Sequence, residues 1–105
     1  MSTVSQVFIV KPRPGHLEAF MRDLGRVNTL VKRAGATMRA WNETSGTNPG
    51  AIAVLVENAD WKAYAACRSK LDSDPEWQAL VAEIGARKDP FADTLATGMN
   101  EEVPS

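Results

Sequence analysis

Residues 4–10 read VSQVFIV, a short run of apolar and β-branched side chains that ends at the stretch KPRPG, residues 11–15. An apolar run bounded by prolines and a glycine predicts a strand followed by a loop. A similar run, AIAVLV at residues 51–56, follows the turn-forming stretch TSGTNPG at residues 44–50. It predicts a second apolar strand that is entered from a hairpin loop.

The segment between these two strands predicts a helix and an edge strand. Residues 16–34 place apolar side chains at intervals of three and four, with charged side chains elsewhere. This spacing predicts an amphipathic helix that Gly35 ends. Residues 37–43, TMRAWNE, alternate loosely and include polar side chains, which is typical of a strand at the edge of a sheet.

The next segment predicts a helix in two pieces. Asn58 or Asp60 is suited to cap a helix that stops near Ser73, because these side chains accept hydrogen bonds from the first helical N–H groups. Asp74 and Pro75 then suit the cap and the first position of a new helical turn. We therefore expect a kinked or broken second helix.

The order of the elements predicts the fold class. Residues 91–99 supply a last strand, and residues 100–105 form a polar tail. The resulting order, β-α-β-β-α-β, predicts an α+β, ferredoxin-like sandwich with a four-stranded antiparallel sheet and both helices on one face. The two apolar strands are central in this arrangement, and residues 1–105 form a single domain.

The two central strands predict a dimer because they are apolar on both faces. Residues 4–10 offer Val7 and Ile9 on one side but Phe8 on the other, and residues 51–56 behave in the same way. The helices can cover only one face, and an apolar patch of this size is not expected in water. A second copy that lays its sheet over this one would form a homodimer, with Val54 at the contact between the sheets.

Composition excludes several classes of function. Twelve Lys and Arg residues against thirteen Asp and Glu residues, scattered along the chain, argue against nucleic-acid binding. We expect neither a signal peptide nor a membrane span, and the single cysteine favours a protein of the reducing cytoplasm. The single cysteine, Cys67, and the single histidine, His16, cannot form an internal disulfide or the usual Cys/His metal spacings.

Three motifs carry a family resemblance. The stretches ADWKAY at residues 59–64 and SDPEWQAL at residues 73–80, with PGHLEAF at residues 14–20, resemble NIPSNAP-like proteins. These belong to the dimeric α/β barrel superfamily, with the antibiotic biosynthesis monooxygenases. The resemblance covers roughly residues 4–99. It implies the fold, a homodimer and a cavity between sheet and helices in each subunit, but no single reaction.

The resemblance also bears on cofactors. Haem-degrading members of the superfamily carry an iron-ligating histidine on or just after the second helix, whereas His16 is the only histidine of this chain. We therefore expect no haem, no metal and no other cofactor. His16 itself, at the start of the first helix, is either a catalytic base or a plain surface residue.

The candidate ligand-binding residues are polar or aromatic side chains that could face the implied cavity. Arg39 and Trp41 share one face of their strand, where a cation beside an aromatic ring could hold an anionic aromatic ligand. Alternatively, Trp41 packs in the core and Arg39 is solvated. Tyr64 either reaches a ligand or packs in the helical core stripe. The full set is Phe8, Arg39, Trp41, Asn42 and Tyr64.

No catalytic set is legible in the sequence, so the catalytic residues stay unknown. The preferred interpretation is a small-molecule-binding protein of the monooxygenase-like superfamily that accepts an apolar or aromatic compound. If it is an enzyme, cofactor-independent monooxygenation or isomerisation is expected. The alternative is a non-catalytic ligand-binding protein or a structural dimerisation protein. The sequence leaves this choice open.

Overall fold

The computed structural model describes residues 2–104 and has the expected α+β fold. Seven elements follow one another, and the second helical region is divided into two helices as the sequence predicted. No helix in this part of the chain is long and apolar enough to cross a membrane. The elements are β1 (Val4–Pro12), α1 (Leu17–Arg33), β2 (Thr37–Asn42), β3 (Ile52–Asn58), α2 (Trp61–Asp72), α3 (Pro75–Gly85) and β4 (Ala92–Glu101).

The four strands form one antiparallel sheet in the order β2-β3-β1-β4. The apolar strands β1 and β3 are central, which confirms the predicted topology. Their register pairs Phe8 with Val54. The pairing of β1 with β4 shifts between Ile9 and Val10, which indicates a β-bulge at the edge strand.

Two strands are longer than expected. β1 continues through Lys11 and Pro12, which pair with the start of β4. A proline is tolerated there because it needs no ladder hydrogen bond at the end of a strand. β4 continues to Glu101, two residues beyond the predicted end, so residues 100 and 101 belong to the strand and not to the expected polar tail at residues 100–105.

The helix ends follow the predicted capping chemistry. The Asp60 carboxylate accepts a hydrogen bond from the Ala63 N–H at 2.7 Å and begins α2. Asp74 caps α3 in the same way, with Pro75 at the first helical position. Gly35, at a φ of 101°, follows α1 in the left-handed conformation that glycine adopts without strain. Of the two candidates for the first cap, Asp60 is therefore correct.

The hydrophobic core lies between the three helices and one face of the sheet. Alternate residues of β3 are buried, starting at Ile52, and Val56 packs with Leu30, Leu71 and Leu80 from the helices. Val54 is also buried on this helix-covered face, with 5% of its surface exposed. Its predicted place at a sheet-to-sheet contact is therefore wrong.

The opposite face of the sheet, which we call the open face, carries the other half of the strand residues. Its centre is apolar and half-buried, and its border includes the ion pair of Arg39 and Glu57, with Nε and Oε1 2.8 Å apart. The central residues are Val7, Ile9, Ala53 and Leu55.

Candidate functional site

A cavity of about 200 Å³ lies between α1, the end of α3 and the β1–β4 side of the sheet. Most of its lining is apolar, and its polar members are Asp23, Arg87 and Thr94. Clefts with apolar walls and a few polar groups are the usual form of small-molecule sites. The apolar lining consists of Val10, Phe20, Leu24, Val27, Ile84, Pro90, Phe91 and Ala92.

Asp23 is the most unusual residue of this cavity because it is a carboxylate on the inner side of α1. Only 9% of its surface is exposed. Both terminal nitrogens of Arg87 donate to it, Nη1 to Oδ2 and Nη2 to Oδ1, the second at 3.2 Å. Arg26 Nη1 adds a longer contact of 3.4 Å. These donors compensate the loss of hydration that burial imposes on the carboxylate.

Glu83 completes a network of two acids and two arginines. Arg26 donates to Glu83 Oε2 at 2.6 Å, and Arg87 Nη2 donates to the same oxygen at 3.1 Å. The hydrogen bond with Asp23 raises the pKa of Arg87, and that with Arg26 lowers the pKa of Glu83. The two carboxylates and the two guanidinium groups together carry no net formal charge. The network joins α1 to the end of α3.

Phe91 holds Arg87 from the other side. The guanidinium carbon of Arg87 lies 3.9 Å from the centre of the Phe91 ring, a cation–π contact. The His16 ring stacks on Phe91 at 5.5 Å between centres. The Phe91 carbonyl also accepts a hydrogen bond from the Arg13 N–H at 2.8 Å. Pro90 and Phe91, before β4, thus form part of the cavity wall, and the loop before α1 supports Phe91.

Two other depressions on the surface are larger but are lined mainly by exposed side chains. A space of about 350 Å³ lies between the exposed outer sides of α1 and α3, and one of about 610 Å³ lies beside Trp61 and Glu101. Both are larger than the cavity at Asp23, but exposed side chains form most of their lining. Among residues 2–104, no group of three or more His, Cys, Asp or Glu side chains is placed to hold a metal ion.

The structure does not bring the five sequence-predicted residues together. Arg39 and Trp41 lie on the open face, where 60% of Trp41 is exposed. Phe8 and Asn42 point to the helix-covered side, since they pair with the buried Val54 and Ile52. Tyr64 lies on α2, edge-on to Trp61. None of the five lines the cavity at Asp23.

The sequence held a signal for Asp23 that its interpretation missed. Asp23 is three residues after Phe20 and four before Val27, so it falls within the apolar stripe of α1. A charged residue inside such a stripe is a reason to expect a buried partner. Arg87 follows the end of α3 and has no comparable signal, because its role depends on the way α3 packs against α1.

Comparisons with known proteins agree with the architecture. No protein-family model matches the chain, and no curated protein matches it significantly. The crystal structure of an uncharacterized NIPSNAP domain protein from Burkholderia xenovorans matches with a TM-score of 0.69 at 20% identity. That match covers 100% of this chain and 95% of the other.

Two further structures match over nearly the whole chain. A NIPSNAP family protein from Agrobacterium tumefaciens matches with a TM-score of 0.67 at 14% identity, covering 98% of this chain and 86% of its own. An antibiotic biosynthesis monooxygenase-like protein from Chloroflexus aurantiacus matches with a TM-score of 0.57 at 18% identity, covering 99% and 94%. This chain therefore has the ferredoxin-like α+β fold of the NIPSNAP and antibiotic biosynthesis monooxygenase-like proteins, as its sequence resemblance implied.

Proposed function

We propose that this protein binds a small apolar or aromatic molecule in the cavity at Asp23. The observation that carries the proposal is the buried Asp23–Arg87 pair inside a lining that is otherwise apolar except for Thr94. A buried ion pair contributes little net stability compared with apolar residues of the same volume. Its presence at a cavity wall is better explained by a need to orient a bound molecule.

The size of the cavity limits the ligand. An apolar cavity of about 150 Å³ is large enough to hold benzene. A cavity of about 200 Å³ therefore suits one ring with a small substituent. Phe20 and Phe91 offer aromatic surfaces to such a ring, while Arg87 and Thr94 offer hydrogen bonds to the substituent.

Cofactor-independent monooxygenation or isomerisation is the proposed class of activity. The fold shared with a monooxygenase-like protein supports this class. A fixed guanidinium N–H in a largely apolar site is also suited to donate a hydrogen bond to a substrate oxygen on which partial charge develops. Asp23 is engaged by Arg87 and Arg26, so its proposed part is to position Arg87.

A homodimer formed through the open face is part of the proposal. The half-buried centre of this face and the exposed Trp41 support it, because contiguous apolar surface on a sheet commonly marks an interface. The same observation favours the alternative function, in which the chain serves as a dimerisation module. Ligand binding in the cavity distinguishes the two.

The test is a titration of the ¹⁵N-labelled protein with acetophenone, followed by amide resonances. We expect shifts concentrated at residues 20–27 and 84–94, which contain all of the lining residues except Val10. Ala92→Leu fills the cavity and should abolish them, whereas Ala66→Leu on the exposed side of α2 should not. Shifts that persist in Ala92→Leu, or no shifts at millimolar acetophenone, would overturn the proposed site.

A further inference from the structure

Arg87 retains hydrogen-bonding capacity that the protein does not use. Of the five N–H groups of an arginine, three donate here, two to Asp23 and one to Glu83. Within residues 2–104, no protein acceptor is found for the other two. Asp23, in contrast, already receives three N–H groups. The unused capacity of the pair is therefore donor capacity, which suits an acceptor atom on a ligand.

The position of this donor is fixed before any ligand arrives. Phe91 covers a face of the guanidinium, and Asp23 holds an edge of it. Arginine presents its N–H groups in a rigid plane, so these contacts also fix the directions of the unused N–H groups. A ligand that accepts from them loses little affinity to the ordering of the protein.

The charges around the cavity decide which acceptor fits. α1 contributes Asp23 and Arg26, and α3 with the residue after its cap contributes Glu83 and Arg87. The sheet side contributes only the uncharged Thr94. The two acids already match the two arginines, so a carboxylate in the cavity would be a third anion without a free countercharge. A neutral carbonyl loses much less hydration on entry.

We infer that Arg87 makes the cavity selective for a single-ring compound that carries a neutral acceptor oxygen, such as an aryl ketone, and selective against aryl carboxylates. This inference rests on the proposed function, since it assigns the ligand class of the same cavity. It differs from the sequence expectation for Arg39, which pointed to anionic ligands on another surface. Arg87 acts here as a specificity-determining residue.

Three probes of nearly equal shape test the inference on the native protein. Acetophenone carries a carbonyl, α-methylstyrene replaces the carbonyl oxygen by a CH₂ group, and benzoate carries a carboxylate. We expect acetophenone to bind about tenfold more tightly than α-methylstyrene, as a hydrogen bond from a charged donor implies. Benzoate should bind at least about tenfold more weakly than acetophenone. Dissociation constants from amide-resonance titrations give the ranking.

The outcomes separate this inference from the proposed function. If no probe binds, the proposed function fails. If acetophenone and α-methylstyrene bind equally well, or benzoate binds best, the cavity remains a binding site and the role of Arg87 is wrong. The double variant Asp23→Asn with Arg87→Met removes both charges of the pair, and should equalise acetophenone and α-methylstyrene. Arg68→Met, at an exposed ion pair on α2, should retain the native ranking. If the double variant does not fold, the ranking on the native protein decides.

Discussion

The guanidinium carbon of Arg87 lies 3.9 Å from the centre of the Phe91 ring while the same guanidinium is hydrogen-bonded to Asp23. One side chain thus connects α1, the end of α3 and the approach to β4. No other described arginine contacts a ring in this way and a buried carboxylate at once. The relationship gives the cavity a wall that is rigid as well as polar.

Removal of the Asp23 carboxylate should destabilise the protein. Asp23→Ala leaves Arg87, whose side chain is 18% exposed, without its main partner. We expect the free energy of unfolding to fall by about 3 kcal/mol, at the low end for a broken buried pair because Glu83 still contacts Arg87. Denaturant unfolding measures this loss. Asp72→Ala, which breaks an exposed pair on α2, is the matched control, and an equal loss there would contradict the argument.

Stability should decline in acid because several carboxylates have lowered pKa values in the folded state. Arg33 lowers the pKa of Asp74, Arg26 that of Glu83, and Arg13 that of Asp93. A lowered folded-state pKa adds stability above the unfolded-state pKa, and this stability is lost as the pH falls through the folded-state pKa. The midpoint temperature of thermal unfolding should therefore be nearly independent of pH between about 7 and 5.5, and it should decrease below about pH 4.5.

A variant of one ion pair checks the sign of this effect. Arg33→Met removes the hydrogen bond that lowers the pKa of Asp74, with Nη2 and Oδ2 2.7 Å apart in the native protein. The variant should be less stable than the native protein at pH 7, and the difference should shrink as the pH falls. A difference that grows in acid would show that Arg33 acts in another way.

Cys67 should be unreactive in the folded protein. Only 4% of its surface is exposed, and burial raises the pKa of its thiol. Both effects reduce the amount of accessible thiolate, which is the reactive form. Iodoacetamide at pH 8 should label the native protein much more slowly than the denatured protein. Ser69→Cys in a Cys67→Ala background places a thiol on the exposed side of the same helix, and should be labelled rapidly.

The fold was predictable because its signals are local. The apolar runs of β1 and β3 fixed the centre of the sheet, and Asp74 with Pro75 fixed the break between α2 and α3. The ends of β1 and β4 were less accessible to prediction. Lys11 and Glu101 are polar, and they belong to strands because of partners that are far away in the sequence.

The candidate site was not predictable to the same extent. Strand alternation placed Arg39 and Trp41 on one face correctly, but could not tell which face the helices cover. For the same reason, Val54 was predicted on the face of the second subunit although it lies under the helices. The Asp23–Arg87 pair joins residues 64 positions apart and depends on helix packing, which no local pattern encodes.

Two neighbouring residues of β3 test the two faces of the sheet. Native protein should have twice the mass of one chain by light scattering, because the open face is apolar at its centre. Leu55→Asp places a carboxylate on that face and should give folded monomers, since an unpaired charge cannot be buried between two sheets. Val54→Asp places the same group in the core under the helices, and should unfold the protein with a loss of several kcal/mol. Leu17→Asp, on the exposed side of α1, should leave the mass and stability unchanged. A native monomer, or a Leu55→Asp variant that stays dimeric, would show that the open face is not the interface.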